Sequence, residues 1–397
     1  MQSSDPQRFF ETDAAQAKRE RRAVKSSNKF GNPIALKSKL VAAVADPSSS
    51  ASCIFVAESA GSVRRVNVDD GDTKAVYRGP SAPVTCVAVG GPNNTLVFAG
   101  SWDKAIWSWD IASRVPARKY IGHSDFVKAV VCTCIGGKDI LISGGADKKI
   151  LVWDVETGTR LHTLQDPEVA MLGVLDLAVD PVLSTPDEAC LVSAGSDPHI
   201  RRWRVRLDSW EQIVDTNGAP GAAERRTILE HETSVYRVVF DAEGEEADLW
   251  TSSADGTSKC LARMRGFTSE DSFDHGDHVR AVAVSEQWVV TAGRDEDLKV
   301  WDRTAGKLYC SLEGHYDEVT GLVVLRDAEG RGRRLSSVSL DGTVRMWPLD
   351  KEGLDAAVKE QEEASKGKED EEAKGDAGNG MTAEEEAELA ALMDDDD

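Results

Sequence analysis

The sequence predicts an all-β fold made of seven internal repeats. Three stretches carry a histidine followed by the same spaced set, in which a hydroxyl residue lies four positions before an aspartate and a tryptophan lies six positions after it. The three sets are His123, Ser143, Asp147 and Trp153; His275, Thr291, Asp295 and Trp301; and His315, Ser337, Asp341 and Trp347. Chance does not align so many residue types three times, so the chain is built from repeats.

The number of repeats follows from the aspartates that the pattern places in turns. These are Asp103, Asp147, Asp197, Asp255, Asp295 and Asp341. One further step towards the N-terminus reaches Ala60, where residues 61–66 fit the same frame without the aspartate and the tryptophan. Seven repeats are therefore predicted, the first of them degenerate. Short runs of β-branched and apolar residues between Gly, Asp and Asn turns predict strands. Examples are Asp139–Gly144, Lys149–Asp154 and Arg160–Leu164.

The residues that begin and end the repeats resemble the WD-repeat family. The Gly-His start is present as Gly122-His123 and Gly314-His315, and the Trp-Asp end as Trp109-Asp110, Trp153-Asp154 and Trp301-Asp302. The resemblance covers residues 33–350 and implies a seven-bladed WD40 β-propeller with one four-stranded blade per repeat. Members of this family are mostly interaction platforms without catalytic residues, so the resemblance implies a non-catalytic scaffold.

A propeller must close its ring, because an open first or last blade leaves unpaired edge strands. The last repeat ends at Trp347-Pro348-Leu349 and is not followed by an outer strand. The segment Pro33–Lys37 precedes the first repeat and can supply that strand. We therefore expect the N-terminal segment to complete the C-terminal blade.

The histidine, hydroxyl, aspartate and tryptophan of each complete repeat are predicted to form a structural hydrogen-bonded tetrad. Such a network stabilises a fold when all its members are satisfied. A Ser-His-Asp triad for acyl transfer uses the same residue types, but it is recognised by geometry, and recurrence at the repeat spacing favours the structural interpretation. Pro80 replaces the histidine of the second repeat, the fourth repeat has no histidine, and Leu261 replaces the tryptophan of the fifth. These blades are expected to depend more on hydrophobic packing.

The seven cysteines are an odd number without paired spacing. Buried thiols in a reducing compartment are expected, including those of Cys132-Thr133-Cys134. A zinc site would need closely spaced ligand pairs, which are absent. The fragment His275-Gly276-Asp277-His278 resembles a metal-binding sequence, but His275 already belongs to a tetrad. We expect no metal and no cofactor.

The net charge of −22 is unevenly distributed. Residues 351–397 carry 18 acidic and 5 basic side chains, a net charge of −13, whereas residues 1–30 have a net charge of +3 and the part between has −12. This balance argues against nucleic-acid binding, which depends on neutralising phosphates. It favours proteins or basic peptide segments as partners. No apolar stretch approaches the roughly 20 residues of a membrane helix, and no signal peptide is recognisable.

Three regions are predicted: a helical arm at residues 1–30, the propeller at 31–350 and an acidic disordered tail at 351–397. Asp5-Pro6 is a favourable start for the helix of the arm. The basic run at 18–22 is either a nuclear-import signal or a solvated helix face.

Two further segments leave alternatives open. Residues 355–380 are expected to be disordered, and Thr382-Ala383-Glu384-Glu385 resembles a capping box. The segment 383–393 is therefore either a helix that forms on a partner or part of a solubilising tail. The segment Asp208–Arg226 is predicted to be a long loop, either functional or disordered.

The family resemblance also implies where partners bind, because WD-repeat proteins often bind partners where the central channel opens. Two positions per repeat usually point there: the residue after the first-strand valine and the residue before the turn aspartate. The first gives Thr85, Lys128, Leu175, Tyr236, Arg280 and Thr320, and the second gives Trp102, Ala146, Ser196, Ala254, Arg294 and Leu340.

Partner binding is assigned to a subset of these positions, because aromatic and arginine side chains are common interface hot spots. The subset is Trp102, Lys128, Tyr236, Arg280, Arg294, Thr85 and Thr320. Its cations favour an acidic or carboxylate-bearing segment, and the tail at 384–397 is itself a candidate occupant.

The predicted function is that of a scaffold or adaptor in the nucleus or cytoplasm, with the propeller monomeric inside a hetero-complex. Its acidic tail permits a chaperone role for a basic client such as a ribosomal protein or a histone. The alternative is a substrate receptor of a cullin-type ubiquitin ligase. Trp203-Arg204-Val205-Arg206 lacks the aspartate of the Trp-Asp-x-Arg sequence that such receptors often carry. An enzyme is not expected, since no Gly-rich phosphate loop, metal set or activated nucleophile lies outside the repeats.

Overall fold

The structure is a computed structural model, and it describes residues 16, 19, 22, 23, 25–215, 225–241, 246–327 and 329–377. The side chains of the last range are described as far as residue 366. The predicted helix start at Asp5-Pro6, the capping box and the segment 383–393 lie outside these residues. Within the predicted arm, Arg22, Ala23, Lys25 and Ser26 are helical.

Seven antiparallel sheets make up the fold, which confirms the predicted all-β, seven-bladed propeller. The first strand, β1 (Ile34–Ala35), belongs to the last blade. Blade one contains β2 (Leu40–Ala45), β3 (Cys53–Glu58), β4 (Ser62–Asn67) and β5 (Ala75–Arg78). Blade two contains β6 (Val84–Gly90), β7 (Leu96–Ser101), β8 (Ala105–Asp110) and β9 (Pro116–Ile121). Blade three contains β10 (Val127–Ile135), β11 (Lys138–Gly145), β12 (Ile150–Asp154) and β13 (Arg160–Leu164).

The remaining blades follow in chain order. Blade four contains β14 (Val174–Val179), β15 (Ala189–Gly195), β16 (Ile200–Val205), β17 (Trp210–Gln212) and β18 (Thr227–Ile228). Blade five contains β19 (Val235–Phe240), β20 (Leu249–Ser253), β21 (Thr257–Ala262) and β22 (Thr268–Asp274). Blade six contains β23 (Val279–Val284), β24 (Trp288–Gly293), β25 (Leu298–Asp302) and β26 (Lys307–Leu312). Blade seven contains β27 (Val319–Arg326), β28 (Gly332–Ser339), β29 (Thr343–Pro348) and β1.

The hydrophobic core lies between the blades. The second strands β3, β15 and β24 are buried along their whole length, because both of their faces pack against neighbouring sheets. One core cluster joins blades three and four through residues such as Ile142 and Trp203, and another joins blades six and seven. Each blade is therefore stabilised mainly by its neighbours.

The N-terminal segment closes the ring, as the sequence predicts. β1 pairs antiparallel with β29, with Ile34 opposite Val344. The contact continues upstream, where the Met346 amide donates to the Gly31 carbonyl at 2.7 Å. The buried guanidinium of Arg345 donates to Asn28 Oδ1 at 2.7 Å and to the carbonyl of Phe30. The edge of β29 is thus covered from residue 28 onwards.

Blade four has an interrupted outer strand. β16 pairs with β17 at one end, where Val205 faces Trp210, and with β18 at the other, where Ile200 faces Ile228. Between these two strands the Ile213 amide still donates to the Arg202 carbonyl at 2.9 Å, and Asp215 is bridged to Arg225. The prediction of a loop over 208–226 is therefore wrong for residues 210–212, which form β17. The insertion begins after this strand, and residues 216–224 lie outside the described part of the chain.

A helix, α1 (Lys351–Ala377), follows the last blade. The expectation of disorder is therefore wrong for residues 355–377. Leu354 is fully buried in the core of blades six and seven, and the Gln361 side chain makes two hydrogen bonds, of 3.1 and 3.2 Å, with the backbone of Glu313. The low apolar content was misleading because Ala, Glu and Lys are strong helix formers and a single buried leucine anchors the first turn. Of the described helices, none is both long and apolar enough to span a membrane.

Removing the closing segment should destabilise blade seven. A chain without residues 1–36 loses β1 and both acceptors of Arg345, and hydrogen bonds to a charged group contribute about 1.5–3 kcal/mol each. We expect the free energy of unfolding to fall by more than about 2 kcal/mol. A chain without residues 1–21 keeps these contacts and is the control. Equal midpoints of the two truncations in thermal unfolding, followed by circular dichroism, would contradict closure by this segment.

Truncating the anchor of α1 should also destabilise the propeller. Leu354→Ala leaves a cavity in a core that blades six and seven share, and such substitutions cost about 2–5 kcal/mol. The exposed Glu352→Ala on the same helical turn is the matched control. Urea unfolding measures both variants, and a Leu354→Ala protein as stable as the control would show that α1 does not contribute to the core.

Candidate functional site

The same backbone irregularity occurs in all seven innermost strands. In each blade the pairing between the first and second strands skips one residue near the start of the first strand, which is a β-bulge. The skipped residues are Val41, Thr85, Lys128, Leu175, Tyr236, Arg280 and Thr320. Because a bulge re-aims a side chain, it turns one residue of every blade towards the channel. Val41 belongs to the degenerate first repeat and was not predicted.

The skipped residues line a single cavity of about 400 Å³ at the mouth of the channel. Two residues that precede turn aspartates, Trp102 and Leu340, line it as well. Arg294 is not among its lining residues. The Arg294 side chain lies 3.4 Å from Asp277 and is largely exposed. Six of the seven residues assigned to partner binding are therefore brought together, and Arg294 is placed outside the cavity.

One side of the mouth is an aromatic pair with a lysine beside it. Trp102 stacks on Phe126 with ring centroids 4.9 Å apart, and it remains 44% exposed. Lys128 Nζ lies 5.9 Å from the centroid of the Trp102 ring. Burial lowers the pKa of Lys128, and the nearby charge of Arg280 lowers it further. Lys128 is therefore a partly desolvated cation that an anionic group would stabilise.

The opposite side carries an arginine held between a ring and a carboxylate. The Arg280 guanidinium lies 4.2 Å from the centroid of the Tyr236 ring, which is a favourable cation–π distance. Its Nε lies 2.7 Å from Glu318 Oε1 in an ion pair. Tyr236 and Glu318 thus hold the guanidinium in one orientation at the mouth.

A buried carboxylate lies deeper in the same cavity and was missed in the sequence. Asp176 accepts a hydrogen bond of 2.9 Å from the Val238 amide of the next blade, and Arg237 Nη1 lies 3.4 Å away. Burial raises the pKa of Asp176, and the charge of Arg237 opposes that effect. The sequence signal that could have revealed Asp176 is its residue type, because the same position in other repeats is occupied by the small apolar residues Ala129 and Ala281.

Thr85 and Thr320 line the mouth but use their hydroxyl groups to join blades. Thr85 donates to the carbonyls of Gly100, at 3.2 Å, and Val127 of the next blade. Thr320 donates to the Leu40 carbonyl of blade one at 2.9 Å. Their hydroxyl protons are therefore engaged between blades, which leaves Trp102, Lys128, Tyr236 and Arg280 as the groups best placed to contact a ligand.

Each complete tetrad links a loop histidine and a turn aspartate on this face to a hydroxyl residue of the second strand and a tryptophan of the third. In the first, His123 Nδ1–H donates to Asp147 at 2.9 Å, while Ser143 Oγ lies 2.8 Å from His123 Nε2 and accepts from Trp153 Nε1–H at 2.9 Å. The tetrad of His315 makes the same hydrogen bonds. In the tetrad of His275 the imidazole ring is flipped, so that Nε2 faces Asp295 and Nδ1 faces Thr291. The hydroxyl residues Ser143, Thr291 and Ser337 are fully buried, so none can attack a substrate.

Two incomplete repeats contain polar replacements that sequence reasoning missed. In blade four Arg201 binds Asp197 at 3.1 Å and Asp166 at 3.0 Å, with all three side chains buried. In blade two Trp107 Nε1–H donates to Asp103 at 2.9 Å. Blades four and two therefore have polar contacts of their own beside the hydrophobic packing that was expected.

The cysteines and acidic residues form no metal centre in the described part of the chain, where no three His, Cys, Asp or Glu side chains are grouped to hold an ion. Five of the seven cysteines are buried as expected, but Cys132 is half-buried and Cys134 is exposed. Both lie at the far end of β10, which is longer than the other innermost strands of blades one to six.

Comparison with known proteins identifies the repeats. A family model described as "WD domain, G-beta repeat" matches residues 71–110, 114–154, 268–302 and 306–348. Together with the seven blades and the recurring tetrads, these matches show that the chain belongs to the WD-repeat family. Propellers of this family bind other proteins and are in general non-catalytic, so the chain is a protein-interaction scaffold.

Three relatives illustrate the range of similar proteins. An uncharacterized WD repeat-containing protein of Schizosaccharomyces pombe is 29% identical, and the alignment covers 100% of both chains. The nuclear distribution protein PAC1 of Arthroderma otae is 27% identical over 71% of this chain and 53% of its own length. The ribosome biogenesis protein WDR12 homolog of Chlamydomonas reinhardtii is 29% identical over 64% of this chain and 62% of its own length.

Acid should weaken the propeller through its tetrads. Burial alone would raise the pKa of Asp341, but the hydrogen bond and charge of His315 hold it below its ordinary value of 3.8. Such a carboxyl contributes stability above its unfolded pKa and loses it as pH falls towards the folded value. Burial also lowers the pKa of His315 below 6.5. Because the unfolded chain then binds the proton more readily, stability should begin to fall below about pH 6.5.

Asp341→Asn keeps the shape of the side chain and removes its titration. We expect a loss of about 1–3 kcal/mol at pH 7 and a flatter dependence of stability on pH below about pH 4. Urea unfolding at a series of pH values measures both effects, with the exposed Asp187→Asn as the control. An Asp341→Asn protein with wild-type stability and wild-type pH dependence would contradict the assigned role.

Proposed function

We propose that the chain is an adaptor that holds an acidic, carboxylate-bearing peptide segment at the mouth of its channel. The observation that carries the proposal is the convergence of two cations, Lys128 and Arg280, in one cavity with an aromatic ring beside each. The two like charges are close enough for Arg280 to lower the pKa of Lys128. A carboxylate placed between them would relieve that repulsion.

The surroundings of the two cations differ in a way that assigns each a role. Among the described residues no carboxylate lies within ion-pair distance of Lys128, whereas Arg280 is already paired with Glu318. Lys128 is therefore the cation with the most to gain from an incoming carboxylate. Arg280, held by Tyr236 and Glu318, is suited to orient the ligand, and Trp102 offers an exposed apolar surface for a neighbouring side chain.

A second candidate function is the chaperoning of a basic client such as a ribosomal protein or a histone. It is favoured by the net charge of −22 and by the acidic composition of residues 351–397. A ubiquitin-ligase receptor has no comparable support, because Trp203 is fully buried and Arg204 pairs with Glu188 and Glu211 in the same blade.

We further propose that the protein acts in the nucleus or the cytoplasm, as a monomeric propeller within a hetero-complex and without direct sequence-specific nucleic-acid binding. The names of the relatives in nuclear distribution and ribosome biogenesis support this assignment, as do the basic run at 18–22 and the acidic charge of the rest of the chain. Occupation of the mouth by the tail at 384–397 concerns residues outside the described part of the chain and stays a prediction.

Charge reversal at the mouth should abolish binding of an acidic probe. We expect Arg280→Glu and Lys128→Glu each to weaken binding of a fluorescein-labelled hexaglutamate peptide by at least about tenfold, because each replaces an attraction by a repulsion. Fluorescence anisotropy with the full chain measures the affinity at low salt. Arg160→Glu reverses an exposed charge on β13, far from the mouth, and should change the affinity less than about twofold.

The partner surface can be tested separately from the probe. Trp102→Ala/Arg280→Glu should lose its main partner in a quantitative pull-down, whereas Met264→Ala/Arg160→Glu, which changes exposed residues elsewhere, should keep it. A tail deletion for the same experiment must end after residue 366, because an end at Asp350 would remove the buried Leu354. The proposal would be refuted if probe binding survived both Arg280→Glu and Lys128→Glu and partner binding survived Trp102→Ala/Arg280→Glu.

A further inference from the structure

The N-terminal arm is held against acidic loops of blades six and seven. Lys25 Nζ lies 2.8 Å from Asp297 Oδ1 and 3.5 Å from Glu296 Oε2. Arg22 Nη2 lies 2.6 Å from Asp317 Oδ1. The Lys25 side chain is only 11% exposed in this contact, so the lysine is inserted between the loops rather than resting on the surface.

These carboxylates lie on the same face as the channel mouth. Glu296 and Asp297 directly follow the turn residue Asp295 of blade six, and Asp317 precedes β27 of blade seven. Asp317 is also the neighbour of Glu318, which pairs with Arg280 at the mouth. The acidic loop surface, defined as Glu296, Asp297 and Asp317, therefore adjoins the basic mouth without being part of its cavity.

The arm presents its cations as one face of a helix. Arg22 and Lys25 are helical and three positions apart, a spacing that brings two side chains to the same side. Three residues further on, Asn28 Nδ2–H donates to the Gly314 carbonyl in the loop before blade seven at 3.0 Å. In the structure the acidic loop surface therefore already binds a basic helical segment, and the Asn28 side-chain amide anchors the residues that follow it.

Closure of the ring does not depend on these ion pairs. The hydrogen bonds that complete blade seven begin at Asn28 and continue through Phe30 and Gly31. The Arg22–Asp317 pair is partly exposed, so it is weak and is weakened further by salt. Lys25 is more deeply buried, so its departure requires another cation to take its place beside Glu296 and Asp297. The helical part of the arm can therefore leave its loops while the propeller stays closed.

We propose that the acidic loop surface is a docking site for a basic helical segment of a partner protein, and that the chain's own arm occupies it in cis. The partner segment carries Lys or Arg three positions apart on one face, as residues 22 and 25 do. Because the arm is tethered, its effective concentration at the surface is high, on the order of millimolar. A partner helix must therefore displace the arm, which makes the arm a built-in competitor.

This inference goes beyond the binding of an acidic segment at the mouth, and it gives the basic-client candidate a defined surface. The inferences can fail separately. The experiment below uses a basic probe taken from the chain itself, so its result depends neither on hexaglutamate binding nor on the identity of a client.

The experiment releases the arm in the full chain and offers its sequence in trans. The probe is a fluorescein-labelled peptide of residues 14–29, and the protein variant is Arg22→Glu/Lys25→Glu. We expect this variant to bind the probe at least about tenfold more tightly than the wild type, because its own arm no longer competes. Adding Asp297→Asn/Asp317→Asn to the variant should abolish binding, and raising the salt concentration should weaken it.

Lys29→Glu is the control for charge reversal in the arm, because it reverses one charge at an exposed residue beyond the two ion pairs. It should bind the probe as weakly as the wild type. Thermal unfolding checks that all variants keep a closed propeller. Equal affinity of the wild type and Arg22→Glu/Lys25→Glu would overturn the proposal, as would binding that survives Asp297→Asn/Asp317→Asn. No binding to the released variant at low salt would overturn it as well.

Discussion

The closed ring depends on strand pairing between two segments about 310 residues apart in the chain, β1 and β29. A sheet edge left open in blade seven would expose unpaired backbone groups and break the continuous packing between neighbouring blades. The closure is reinforced by an unusual choice of side chain, since the Arg345 guanidinium is buried and finds its acceptors on the N-terminal segment. The helix α1 then packs over blades six and seven through Leu354. The segments that precede and follow the propeller, β1 and α1, therefore both pack on its last blade.

Within this closed ring, a repeated irregularity of the backbone produces a variable binding surface. Every innermost strand bulges at the same point, so the fold delivers one side chain per blade to the channel mouth regardless of residue type. The tetrads fix the adjoining loops, because their histidines, hydroxyls and indoles leave few conformations open to the turns. Composition at the bulges, and not backbone shape, then decides whether the mouth attracts acidic or basic ligands. Lys128 and Arg280 make it basic in a chain whose overall charge is strongly negative.

Much of this arrangement was readable from the sequence because it is periodic. The spacing from Ser337 through Asp341 to Trp347 recurs in other repeats, so it predicted the blades, the tetrads and the missing outer strand. Features that occur once had no such signal. The pairing of Arg201 with Asp166 joins β16 to the loop that follows β13. Asp176 is an acidic residue at a position where Ala129 and Ala281 stand in other repeats. Helix α1 was missed because its composition resembles that of disordered segments, while the burial of Leu354 depends on tertiary packing.

The interruption in the outer strand of blade four has a consequence for how this chain can change. β17 and β18 hold the edge of β16 on either side of residues 213–226, so the register of the blade is set independently of what lies between them. Residues can be added or removed there without moving any neighbouring strand, since the cost of lengthening a loop grows only slowly with its length. The position is therefore a natural point of growth, where a lineage could acquire a new segment, or an engineer a reporter domain, while the ring keeps its geometry.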